Sequence, residues 1–184
     1  MDVRVNNVAG MMGRRQVTED GHEMTLQVNH LSGFLLTSIL RRRLEESRGI
    51  VIDTSSAAHL AGRIDFDDLE NAKRYDAFRA YASAKLMNIL HAMEIARRFE
   101  HVSAASIHPG LVATGFARSG RGIVRWFYES AFARLFSLSP EQGADTLLWL
   151  IRGEPGRDWI SGEYYHKQKR GRKSPLARPE LARR

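Results

Sequence analysis

An α/β fold, in which strands and helices alternate around a parallel sheet, is what the pattern of this chain predicts. Three observations lead there. Short β-branched runs at residues 3–7, 49–54 and 102–107 are separated by long stretches with helical periodicity. Strand, helix, strand, helix, strand in that order implies right-handed crossovers between parallel strands. The composition is globular, with 184 residues, 43% hydrophobic and 27% charged, enough for a domain that buries roughly 70% of the surface its unfolded chain exposes.

The elements follow in order. Residues 3–7, Val-Arg-Val-Asn-Asn, form the first strand. Residues 20–44 form a helix with Leu26, His30, Gly33 and Thr37 along one stripe. Residues 49–54 are a strand of the buried type, with Ile50-Val51-Ile52 at its centre. A polar stretch carrying Asp65, Asp67, Asp68 and Glu70 leads to a second long helix, residues 76–99. Residues 102–107 make a third strand, stopped by His108-Pro109-Gly110. Residues 122–137 are helical and aromatic-rich. Ser139-Pro140-Glu141-Gln142 starts another helix, with Ser as the cap and Pro at the first helical position. Residues 162–167 give a last short strand, and the Pro- and Arg-rich end from Ser174 is expected to fray. No internal repeat is visible.

Charge and composition exclude several function classes. The net charge is +7, but eight basic residues against one acid between Lys167 and Arg184 account for all of it. Residues 1–166 are therefore neutral, and 167–184 read as a solvated basic tail. A neutral body without a recognition module argues against sequence-specific nucleic-acid binding. There is no cysteine, hence no disulfide, zinc–thiolate or iron–sulfur site, which fits a cytoplasmic location. No apolar run reaches ~18 residues, so no transmembrane segment is expected. The seven histidines form no metal-binding pattern, and no Gly-x-Ser-x-Gly elbow is present.

The chemistry concentrates on the second helix. Tyr81 and Lys85 are four residues apart, which places them on one face, one turn apart. Asn88 joins them, while Leu86, Ile89, Leu90 and Met93 fall on a separate face suited to packing. An ammonium beside a phenol favours the phenolate. A tyrosine must drop by ~2–3 units from its usual pKa near 10 to act as a base near neutrality, and a bound cation could add to what one lysine supplies. Ser55 and Ser56 stand just past the C-terminal end of the 49–54 strand, where ligands bind in open α/β sheets.

Five motifs now stand in sequence: Asn6-Asn7-Val8-Ala9-Gly10, Val28-Asn29-His30-Leu31-Ser32-Gly33-Phe34, Ser55-Ser56-Ala57-Ala58-His59, Tyr81-Ala82-Ser83-Ala84-Lys85 and His108-Pro109-Gly110-Leu111-Val112-Ala113-Thr114. Their order and spacing resemble the short-chain dehydrogenases/reductases. The stretch from Gly62 to Leu69, with Arg79-Ala80-Tyr81, is similar to the retinol-dehydrogenase-like branch. The resemblance runs from about Met1 to at least Leu176. It implies a Rossmann-type sheet over residues 1–166, NAD or NADP as cofactor, and an alcohol and aldehyde or ketone pair as substrate. It implies Tyr81 as acid/base and Lys85 as the residue that lowers its pKa and binds the nicotinamide ribose. Ser56, rather than Ser55, would orient the carbonyl, and Asn29 would order a water linking Lys85 to solvent. Asn7, Ala9 and Gly10 would face the cofactor, and Pro109, Gly110, Val112 and Thr114 would close over its nicotinamide end. The aromatic stretch from Gly122 to Leu138 resembles the variable substrate lid and hints at a lipophilic substrate.

Two departures stand out. Val8 precedes Ala9-Gly10 where the family has Ala-Gly directly after its asparagines, so the cofactor-facing glycine is displaced by one residue. The family's opening βαβαβ half, with its Gly-rich pyrophosphate turn, has no counterpart before Met1. Strands 4-5-6-7 of the family order would be kept and strands 1-3 missing. The chain then reads as a fragment with strand 3–7 as an open edge, a feature that invites homo-oligomers. The alternative function is a catalytically silent truncated dehydrogenase acting as an interaction or oligomerisation module.

Overall fold

The computed structural model describes residues 2–110 and 138–183. Its sheet has five strands: β1 (Val3–Asn6), β2 (Ile50–Thr54), β3 (Ser103–His108), β4 (Glu163–His166) and β5 (Lys169–Arg170). They lie in sequence order. The first four are parallel, with Val3 opposite Ile50, Ile50 opposite Ser103 and Ala105 opposite Glu163. β5 returns antiparallel to β4. β1 lies at the edge with all four residues half-buried, as the sequence implies.

Strand alternation divides the core between the two faces of the sheet. Val51 and Ala104 point to one face, where Leu44, Ala92, Ile95 and Val102 complete a cluster. Ile52, Ala105 and Ile107 point to the other and meet Leu150, Trp159 and Tyr165. Because both faces are covered, Ile50-Val51-Ile52 is apolar without alternation. The helices that cover them are α2 (Ser32–Glu46) and α3 (Ala77–Arg98) on the first face, and α4 (Pro140–Arg152) on the second. Asp76 caps α3 by accepting from the Arg79 N–H, and Ser139 and Gln142 form a reciprocal capping box on α4.

Two sequence expectations are corrected here. The first helix begins at Met24 rather than near residue 20. Gly21 has a positive φ of 86°, and Val17 bridges Glu23, so residues 17–23 turn back on themselves. The buried Glu23 then acts as the cap, accepting from the N–H groups of Thr25 and Leu26. The helix itself is not uniform: α1 (Met24–Leu26) passes through a π-helical turn (Gln27–Leu31) into α2. The second correction concerns the end of the chain. Ser174 is buried, Lys173 pairs with Glu163 at 3.0 Å, and a short helix α5 (Pro179–Ala182) packs on α3. Leu181 and Ala182 supply apolar surface to the groove between α2 and α3, which anchors a segment that composition alone reads as fraying.

α2 presents Phe34, Leu35, Leu36 and Ile39 outward. No described helix is long and apolar enough to cross a membrane.

A 3-10 helix (Ala57–Ala61) follows β2 and ends at Gly62, which lies against α3. A Cβ added at Gly62 would lie 2.4 Å from the Ala82 carbonyl oxygen, next to Tyr81. Neither backbone can yield cheaply. Gly62→Ala should therefore lower stability by about 1–3 kcal/mol in urea unfolding, and wild-type stability in that variant would refute the close packing.

Candidate active site

The carboxyl ends of β1, β2 and β3 open onto one cavity of about 780 Å³, flanked by α3 and the start of α4. Asn7, Ala9, Ser56, Tyr81, Lys85, Pro109 and Gly110 all line it. Gly10 and Asn29, also expected at the site, are not among the residues that line it. Val112, Thr114 and nearly all of the aromatic stretch 122–138 lie outside the described residues.

Lys85 is only 1% exposed. Its Nζ donates to the Thr54 carbonyl at the end of β2, at 2.9 Å, and lies 5.4 Å from the centroid of the Tyr81 ring. Burial pushes its pKa down to about 8, against the opposing pull of the buried Asp53 carboxylate. The helical spacing of the two residues thus becomes an ammonium beside a phenol at the cavity wall.

The two serines separate into distinct environments. Ser55 is buried, and its hydroxyl donates to the Lys85 carbonyl at 2.7 Å. Ser56 accepts from the Ala58 N–H at 3.2 Å and so caps the 3-10 helix while keeping its own hydroxyl proton for the cavity. His59 fixes the Ser56 backbone, with Nδ1 2.6 Å from the Ser56 carbonyl oxygen. That oxygen can only accept, so Nδ1 carries the proton. Burial lowers the His59 pKa and keeps the ring neutral.

Asn29 sits in the π-helical turn. Its Nδ2 donates to the Gly10 carbonyl at 2.6 Å and the Thr25 carbonyl at 2.7 Å, and its Oδ1 accepts from the Gly10 N–H at 3.2 Å. The side chain therefore clamps the loop after β1, and the Asn29 backbone carbonyl accepts from Asn88 Nδ2 at 3.0 Å. Asn7 receives the Thr54 hydroxyl on its Oδ1 at 2.9 Å. Asn6, on the opposite pleat, donates to Asp53 at 2.7 Å, and His91 Nδ1 meets the other Asp53 oxygen at 2.8 Å.

Sequence reasoning did not select Asp53, Thr54, His30 or Asn88 as site residues. Asn88 carried a signal, its place on the Tyr81 face of α3. The Thr54 contribution is a backbone carbonyl, which has no signature in residue type.

Two expectations about stability follow. Lys85→Met removes a buried charge and should raise stability at pH 7 by about 1–3 kcal/mol. The folded lysine titrates near 8 and the unfolded one at 10.5, so the wild type gains stability as pH rises through that window and the gap should close. Urea unfolding at pH 7 and pH 10.5 measures it, and an unchanged gap would refute the buried-ammonium account. His30 is pushed down from 6.5 to about 4, first by burial and then by His91. The unfolded chain takes up this proton first on acidification, so stability falls as pH drops from 6.5 towards 4. The slope from this group approaches about 1.4 kcal/mol per pH unit. His30→Gln should flatten the profile in that range; a wild-type slope in the variant would show that the acid sensitivity lies elsewhere.

No family model matches the chain. Individual proteins do. The chain is 45% identical over 182 residues to a protein named as a daunorubicin C-13 ketoreductase, DnrU, from Streptomyces sp. (strain C5), an overlap of 97% of this chain and 59% of the relative. It is 39% identical over 168 residues to retinol dehydrogenase 11 of Homo sapiens, covering 90% of this chain and 52% of that protein. This chain thus spans a little over half the length of the curated relatives it matches. A crystal structure of an uncharacterized protein from Mycobacterium paratuberculosis superposes with a TM-score of 0.73 at 27% identity, over 99% of this chain and 63% of that one. A short-chain dehydrogenase/reductase from Caenorhabditis elegans, solved with cofactor, shares the fold with a TM-score of 0.58 at 21% identity, over 82% of this chain and 58% of that one. The curated proteins this chain resembles are thus retinol dehydrogenases and a ketoreductase, and it shares its fold with a short-chain dehydrogenase/reductase.

Proposed function

We propose that this chain carries the catalytic part of an NAD(P)-dependent oxidoreductase that interconverts an alcohol and a carbonyl. The observation that supports it is the convergence of Tyr81, Lys85 and Ser56 on one cavity at the carboxyl ends of the strands, where open α/β sheets bind ligands. The residues present suit the nicotinamide end of a dinucleotide. A buried ammonium, a phenol and a hydroxyl face a cavity whose rim is the backbone of Ala9, Pro109 and Gly110. When bound, the nicotinamide gives or takes the hydride.

Each residue then has a task. In reduction, the Tyr81 phenol donates its proton to the carbonyl oxygen; in oxidation, the phenolate takes the proton of the alcohol. Lys85 favours the phenolate and donates to ribose hydroxyls. Ser56 donates its hydroxyl proton to the substrate oxygen. Asn29 holds the Gly10 loop, so that Asn7, Ala9 and Gly10 meet the cofactor with a fixed backbone. Val8, Ala57, Ile107 and Leu147 give the cavity an apolar wall, which supports a lipophilic substrate, in keeping with the ketoreductase and retinol dehydrogenases named above.

Titration of NADH and NADPH into the purified chain, followed by an assay of medium-chain aldehyde reduction, tests the reading. Tyr81→Phe should lower kcat by at least about 100-fold with cofactor affinity within ~3-fold of wild type. Failure of the wild-type chain to bind either dinucleotide at millimolar concentration would overturn the proposal for this chain.

A further inference from the structure

Asn88 lies one turn beyond Lys85 on α3 and is 3% exposed. Both ends of its amide are engaged. Nδ2 donates to the Thr54 carbonyl and to the Asn29 carbonyl, each at 3.0 Å. Oδ1 faces His30 Nδ1 at 3.0 Å. Since Oδ1 can only accept, His30 presents its protonated Nδ1, and the amide cannot flip without aiming an oxygen at two carbonyl oxygens.

The two carbonyls are not arbitrary partners. Thr54 supplies the same oxygen that receives Lys85 Nζ. Asn29 is the residue whose side chain grips Gly10 through both its N–H and its C=O. One buried amide thus joins the anchor of the lysine on β2 to the π-helical turn that holds the loop after β1. The two sides are far apart in sequence, since 59 residues separate Asn29 from Asn88 and 34 separate Thr54 from Asn88.

We propose that Asn88 is a positioning residue that locks the Lys85 anchor and the Gly10 loop into one rigid unit, so that α3 sets the backbone offered to the dinucleotide. This rests on the oxidoreductase reading for the identity of the ligand, but the coupling itself does not. Without the amide donors, Asn29 loses its tie to α3, and the Gly10 loop opens independently of β2.

The test uses the full 184-residue chain with Asn88→Ser and, as a control, Leu90→Ala, which removes buried apolar volume from α3 without touching Thr54 or Asn29. Amide hydrogen exchange of Gly10, read by NMR at matched global stability, should be at least about tenfold faster in Asn88→Ser than in Leu90→Ala. The Kd for NADH should weaken by about tenfold in Asn88→Ser alone, with KM for NADH rising more than kcat falls. A second measurement needs no variant: in the wild type the Asn88 side-chain N–H protons should exchange slowly and in step with the Gly10 N–H as urea is added. Equal Gly10 exchange in the two variants, or Asn88 side-chain protons that exchange as fast as those of an exposed amide, would overturn the proposal. A wild-type chain that binds no dinucleotide defeats the functional reading, while the exchange measurements still decide the role of Asn88.

Discussion

A lysine buried at the end of a strand is the constraint around which the site is organised. An ammonium taken out of water costs several kcal/mol unless donors and charges nearby offset it. Here the offset comes from the carbonyl of Thr54 and the field of Asp53. Both belong to β2, so the strand that carries the central core residues Val51 and Ile52 also carries the polar groups that the lysine needs. The last carbonyl of β2, that of Thr54, accepts from two side chains of α3, Lys85 and Asn88. The cost is local: a polar layer of Asp53, Thr54, Lys85 and Asn88 lies directly beside apolar clusters that must stay dry.

α3 is the element that reconciles these demands. Ala92 and Ile95 pack against the sheet beside Leu44 and Val51. Tyr81, Lys85 and Asn88 continue the same helical stripe towards the N-terminus of α3, where it passes the end of β2 and reaches the cavity. Alanines at 80, 82 and 84 keep the first turns slim, which allows Gly62 and the 3-10 helix to approach the backbone of α3 closely. Ser83 closes that contact by accepting from the Arg63 N–H and donating to the Arg63 carbonyl. The loop bearing Ser56 is therefore fastened to the same helix that bears Tyr81. Backbone packing between helix and loop thus contributes to the relative placement of phenol and serine hydroxyl.

The sheet and the Tyr81–Lys85 pair were legible in the sequence for clear reasons. β-branched runs bounded by Gly49 and by Pro109-Gly110 leave little else to build, and a spacing of four has one meaning on a helix. The choice of Ser56 over Ser55 came from the resemblance, and the hydrogen bonds separate the two in a way residue type alone never could. Other features had no local signal. The π-helical turn at Gln27–Leu31 sits inside a stretch whose apolar stripe is an ordinary helical one. The Asp53–His91 pair joins residues 38 apart. β5 and α5 owe their order to packing on β4 and α3, which outweighs a composition rich in arginine and proline.

The asparagine pair at the end of β1 shows how one strand end serves both stability and chemistry. Pleating sends Asn6 to the α2 side, where Gly33 lies so close that a Cβ there would come within 3.0 Å of Asn6 Cγ. That closeness lets Asn6 Nδ2 reach Asp53 and, at 3.3 Å, Thr37. Asn7 turns the other way, receives the Thr54 hydroxyl and lines the cavity. Val8, 76% exposed, then stands between Asn7 and the Ala9-Gly10 backbone. Asn29 takes hold of Gly10 by two hydrogen bonds and so fixes the backbone of this loop. Asn29 makes these bonds from within the π-helical turn, so the irregular segment of the helix and the loop after β1 are joined by one side chain.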